Sequence, residues 1–86
     1  MNLYSGHVQG VGFRYAVKSI TFGFEVTGCI RNLDDGRVEL TAEGAKEELA
    51  AFLLAIRQSD VGSFIRQEQT LWSEARNEFR DFAIAH

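Results

Sequence analysis

Between Ala45 and Ser59 the apolar residues Leu49, Phe52, Leu53 and Ile56 recur every three or four positions. That spacing lines one side of an α-helix. Glu47 and Glu48 fall in its first turn and Arg57 in its last, which complements the helix dipole. A helix with a single apolar stripe has to lay that stripe on another element, and its neighbours in sequence read as strands. "RVELTAEG" alternates Val38, Leu40 and Ala42 with Arg37, Glu39 and Thr41, the pattern of a strand with one buried face. The preceding "NLDDGR", Asn32 to Arg37, reads as a hairpin turn, because Asp35-Gly36 supplies the positive φ values that tight turns need.

The rest of the chain extends the pattern. Asn2 to Val8 reads as a short first strand. Phe13, Val17, Ile20 and Phe24 follow helical spacing, with Gly23 as a C-terminal cap. Glu25 to Leu33, rich in Val, Thr, Cys and Ile, reads as a second strand. After the long helix, "DVGS" is a break and Phe64 to Trp72 a polar, edge-like strand. Phe79, Phe82 and Ile84 suggest a last short strand closing on the core. The expected order is β-α-β-β-α-β with an additional C-terminal strand. One-sided helices among half-buried strands predict an α+β, ferredoxin-like sandwich: a mostly antiparallel sheet with two helices on one face.

The chain has 86 residues, which predicts one domain over 1–86 at the small end of what builds a core unaided. Its one cysteine, Cys29, cannot form an internal disulfide, so packing has to supply the stability. There is no proline, which leaves turns to glycine, asparagine and aspartate. No apolar run approaches the length of a membrane helix, and no basic-then-apolar leader opens the chain, so a cytoplasmic location and no membrane partner are expected. The net charge is −3 with acidic residues spread throughout, which disfavours nucleic acid as a partner. A single local anion site remains compatible with that charge.

"HVQGVGFR" carries such a site. Gly10 and Gly12 alternate with Gln9, Val11 and Phe13, and glycines tolerate the positive φ that turns successive N–H groups toward one point. The helix expected from Phe13 adds its unpaired N–H groups and positive dipole end. Arg14 adds a guanidinium whose planar donors match a phosphate or carboxylate. Taken alone, a glycine pair is more often a strand-to-helix turn beside a surface arginine. No Lys-Ser or Lys-Thr pair follows directly on the glycines, since Lys18-Ser19 stands a helical stretch beyond Gly12, so this is not a Walker loop.

The run Gly6-His7-Val8-Gln9-Gly10-Val11-Gly12-Phe13-Arg14 is similar to the signature of the acylphosphatases, small enzymes that hydrolyse acyl phosphates. A second block, Gly28-Cys29-Ile30-Arg31-Asn32-Leu33 followed by Asp35-Gly36-Arg37-Val38-Glu39, resembles that family's second signature. The two occur in the family's order and span most of the chain. The resemblance implies that Arg14 binds the substrate phosphate with loop amides from Gln9, Gly10, Val11, Gly12, Phe13 and Arg14, and that Asn32 orients the attacking water. It implies hydrolysis of a small acyl phosphate, whose good carboxylate leaving group calls for no metal or cofactor; the polar fourth strand, a managed edge, suggests a monomer. The first strand is short for the family, and prolines usual in the hairpin and after the second helix are missing.

Other readings differ in class. The same fold serves as a non-catalytic phosphate- or carboxylate-binding regulatory module, or as an RNA-binding domain. The latter would need aromatics along strands such as "RVELTAEG", which has none. A third is a detached relative of the acylphosphatase-like domain of carbamoyl-transferring maturation proteins. Asn32 alone would read as a turn residue. Arg31 alternates to the opposite sheet face, His7 reads as a strand-end residue without a metal-ligand partner, and Cys29 as a small buried hydrophobe.

Overall fold

A computed structural model describes residues 1–10, 12–74 and 76–85. Its elements run β1 (Asn2–Gly6), α1 (Phe13–Ile20), β2 (Thr27–Asn32), β3 (Val38–Glu43), α2 (Lys46–Gln58), β4 (Ile65–Thr70) and β5 (Phe82–Ile84). The strands form one sheet in the order β4-β1-β3-β2-β5. Every neighbouring pair is antiparallel except β2–β5, which is parallel. This is the expected ferredoxin-like sandwich, with β5 as the additional strand.

Alternation along the strands sorts the side chains. Asn2, Tyr4, Ile30, Val38, Leu40, Ile65 and Phe82 point into the core, where Phe13 and Val17 of α1 and Phe52 and Ile56 of α2 meet them. Both helices therefore cover the same face. Phe52 links the two halves of that core, with its ring 5.8 Å from Phe24 and 6.1 Å from Phe82. Burying one such ring contributes about 1.5–3 kcal/mol. The sheet's other face has no helix over it and carries Cys29, Arg31, Glu39 and Thr41, which are half-buried or exposed. Cys29 is thus a half-buried side chain on the open face rather than a core residue. Burial and the nearby Glu39 carboxylate push its thiol up, away from the reactive thiolate.

Several element ends differ from the sequence reading: β1 stops at Gly6 rather than Val8, β2 runs Thr27–Asn32 inside the expected span, and β5 starts at Phe82, with Phe79 left before it. α1 stops at Ile20, where the Thr21 hydroxyl donates to the Lys18 carbonyl and the chain tightens into a 3₁₀ turn over Thr21–Gly23. A side chain returning to the backbone ends this helix, and Gly23 does not adopt the left-handed cap conformation. β4 ends at Thr70, two residues before Trp72, which is 55% exposed.

One buried polar group needed a partner and has one. The Tyr4 hydroxyl accepts from Asn2 Nδ2 at 3.1 Å, and Asn2 also donates to Glu68, which pairs with Arg57 at 2.8 Å. Burial and the Glu68 carboxylate raise the Tyr4 pKa far above the ordinary tyrosine value, so it stays a neutral core residue.

Candidate active site

β1, β2 and β5 finish at one end of the sheet, and β3 and β4 start there. The candidate residues gather at that end because the chain returns to it each time. β1 ends at Gly6, and the next residue, His7, donates its N–H to the Phe64 carbonyl at 3.0 Å. Gly10 then takes φ 76° and Gly12 φ 78°, left-handed values that favour glycine. Val11, expected in the same cradle, lies outside the described residues.

Gly12 is the N-cap of α1, so this helix begins without a capping side chain and without an acidic residue in its first turn. Among the described residues, no backbone partner takes the N–H groups of Gln9, Gly10, Gly12, Phe13 or Arg14. Uncapped N–H groups at a helix start, beside the positive dipole end, are a ready anion site. Phe13 itself points the other way: it is buried against Tyr4, ring centroids 5.2 Å apart, and anchors the helix start to β1.

Arg14 is the first side chain of α1 past this anchor. Its Nη1 donates to the Ala85 carbonyl at 3.2 Å, and the Ala85 N–H donates to Ile30 of β2 at 2.9 Å. The residues after β5 therefore tie the guanidinium to the strand that carries Asn32, two positions beyond Ile30. Among the described residues, no other hydrogen bond takes the remaining guanidinium donors.

Asn32 ends β2 opposite Val38 of β3. By alternation it shares the helix-covered face with Ile30, the same face as the start of α1. It is exposed, and its amide has no hydrogen-bond partner among the described residues. Arg31 faces the other way and pairs with Glu39 at 3.3 Å. The hairpin beyond is closed by its own hydrogen bonds. Leu33 N–H donates to the Arg37 carbonyl at 2.8 Å, and Asp35 accepts from Arg37 N at 3.0 Å and Nε at 2.8 Å. The Arg37 backbone N–H, with its guanidinium, holds the Asp35 carboxyl below the usual range.

Two contacts have no forerunner in the sequence reading. Gln9 was expected to offer its backbone amide, and the structure gives its side chain a part of its own. Gln9 Nε2 donates to the Leu33 carbonyl at 2.8 Å and to the Arg37 carbonyl at 3.0 Å. The Ala85 carbonyl on Arg14 had no signal in the sequence, since any residue offers that atom. His7 is exposed at the strand end, and no cluster of metal-ligating side chains occurs among the described residues.

The chain and its fold are similar to proteins of known family. Residues 2–84 match the family model for acylphosphatase. The chain belongs to the acylphosphatase family. It is 40% identical over 81 residues to an acylphosphatase of Bacillus licheniformis, covering 94% of this chain and 90% of the relative. It also superimposes on the crystal structure of acylphosphatase from Bacillus subtilis with a TM-score of 0.89 at 33% identity, covering 99% of this chain and 94% of the other. A crystal structure of full-length HypF, in its phosphate- and nucleotide-bound form, contains a similar unit. There the TM-score is 0.85 at 29% identity, with 99% of this chain matched to 11% of the larger one. The family, the fold and the acylphosphatase activity expected from the two signatures are thereby established for this chain.

Proposed function

We propose that Arg14 and the amides of the β1–α1 connection hold the phosphoryl group of a small acyl phosphate while Asn32 orients the water that attacks it. The observation that carries this reading is the uncapped start of α1. Left-handed glycines at 10 and 12, and N–H groups with no partner among the described residues, precede a guanidinium braced by the Ala85 carbonyl.

Phosphoryl transfer passes through a loose transition state with charge spread over the equatorial oxygens, so catalysis is mostly positioning and electrostatic stabilisation. Fixed N–H donors and a braced guanidinium meet that charge without reorganising. The Asn32 side-chain oxygen accepts from a water and restricts it to the in-line approach, which lowers the entropic part of the barrier. The P–O bond to the acyl oxygen breaks as the water oxygen bonds to phosphorus, giving a carboxylate and inorganic phosphate. The carboxylate is a good leaving group and needs no strong acid, so the reading requires no metal and no cofactor. The same reading takes the protein as a cytoplasmic monomer, one domain over residues 1–86, with no nucleic-acid partner.

Hydrolysis of benzoyl phosphate, followed by its ultraviolet absorbance with EDTA present, tests the assignment. Wild-type turnover should be unchanged by the chelator, and Arg14→Ala and Asn32→Ala should each lower kcat/KM by roughly 10²–10³-fold. Near-normal turnover in folded Asn32→Ala would remove the water-positioning role.

A further inference from the structure

Gln9 sits on the phosphate-side connection, yet its side chain reaches 24 and 28 residues along the chain to the hairpin after Asn32. The two carbonyls it takes are those of Leu33 and Arg37, each one residue beyond the Asn32–Val38 pair, one on either strand. They are also the carbonyls that close the turn: Arg37 O accepts from Leu33 N–H and Leu33 O from Gly36 N–H. A primary amide has two N–H bonds on one nitrogen, and here each finds a different strand of the same hairpin.

We infer that Gln9 is a positioning residue that sets where Asn32 stands relative to the phosphate cradle. This rests on the roles proposed above for Arg14 and Asn32. Without the clamp, no other hydrogen bond among the described residues joins the connection carrying the cradle to the turn after Asn32; the Arg14–Ala85–Ile30 link reaches β2 two residues before Asn32. The attacking water has to be placed against a phosphorus held by the other loop, so the distance between the two loops enters the rate directly. Binding of phosphate alone uses one side of that pair and is much less sensitive to it.

The donor requirement is specific. Glutamate at this position keeps the shape but sets a carboxylate against two carbonyl oxygens, which turns two attractions into repulsions. Alanine removes the contact. Asparagine keeps a donor on a stem one carbon shorter and cannot span both carbonyls.

The test is a double-mutant cycle on benzoyl phosphate with inorganic phosphate as competitive inhibitor, each variant's folding checked by circular dichroism. Gln9→Ala should lower kcat by roughly tenfold while the phosphate inhibition constant moves by less than about twofold, and Gln9→Glu should be slower still. Gln9→Asn should fall between alanine and wild type, and it serves for the cycle if the alanine variant does not fold. In an Asn32→Ala background, loss of Gln9 should change kcat little further, because the residue it positions is gone.

Multiplicative effects in the double variant would overturn the inference while leaving Asn32 in its role. So would a loss of phosphate affinity with kcat intact, which would make Gln9 a brace of the cradle alone. If Asn32→Ala itself turns over normally, the underlying reading fails, and the clamp's meaning fails with it.

Discussion

Gly12 opens α1 at φ 78° and ψ 17°, and an added Cβ there would meet nothing within 4 Å. Any cost of a side chain is therefore conformational rather than steric. Holding an L-residue in the left-handed region costs about 1–2 kcal/mol, and asparagine tolerates that region better than alanine. Gly12→Ala should lower the urea midpoint of unfolding accordingly, and Gly12→Asn should recover part of the loss. An alanine variant as stable as wild type would mean that the helix start does not require this conformation. At this scale the sequence was informative where a residue type has a narrow use. Two glycines, an arginine and an asparagine in two separated blocks pointed to the cradle and the partner proposed above. The Gln9 side chain was not legible, because a glutamine among glycines says nothing about a carbonyl 24 residues away. The hydroxyl of Thr21 that ends α1 was hidden for a related reason: it competes with a neighbouring glycine that offers the commoner cap.

Among the elements, those with periodic apolar residues were the most legible. The α2 stripe, the β3 alternation and the Asp35-Gly36 turn each carry their own signal, and the structure keeps all three, though in the turn Gly36 alone has a positive φ, 93°, and Asp35 does not. The connection from β4 to β5 carries none. It crosses the far end of the sheet, opposite the candidate site, over a cavity of about 50 Å³ lined by Leu40, Leu49, Leu53, Leu71 and Trp72. Its ends are tied by the backbone, Leu71 to Met1 and the Asp81 carbonyl to the Gly28 N–H, and its middle is held by a carboxylate. Glu43, at the end of β3, accepts from the N–H groups of Arg76 at 2.6 Å, Asn77 at 2.8 Å and Glu78 at 3.0 Å. Desolvation pushes Glu43 upward, but the N–H donors of Arg76, Glu78, Asn77 and Phe79 together outweigh it and leave its pKa below the ordinary 4.5. A depressed carboxylate stabilises the folded form at pH above its unfolded value. That contribution is lost as the pH falls through the depressed value. The amide resonances of Arg76, Asn77 and Glu78 should accordingly shift together on acidification below pH 4.5. Glu43→Gln should show the released positions already at neutral pH and no titration. Amides that stay fixed through that range would mean that the strap is held by its apolar contacts instead.

For the whole molecule the open question is what its two sheet edges do, since an unpaired strand invites a second copy. β4 forms one edge, and Arg66, Gln67, Gln69 and Thr70 are exposed along it. β5 forms the other and is three residues long, too short to template a strand. Of the apolar residues that reach solvent, Tyr15 on α1, Phe22 after it, Leu54 on α2 and Phe64 before β4 stand on separate elements, while Met1, Leu71 and Trp72 gather in one small patch at the far end of the sheet. Stable dimers need a contiguous patch of about 800 Å² per partner, usually with an apolar centre. A net charge of −3 adds a weak mutual repulsion. Sedimentation velocity should therefore give a single species of 9.7 kDa, with specific activity unchanged on dilution. A species of twice that mass whose activity falls on dilution would mean that a second copy supports the candidate site. The Arg14–Ala85 brace and the Gln9 clamp would then be parts of a larger assembly. A monomer leaves both sufficient, and with them a fold in which one sheet end brings together, from a single chain, everything the proposed hydrolysis uses.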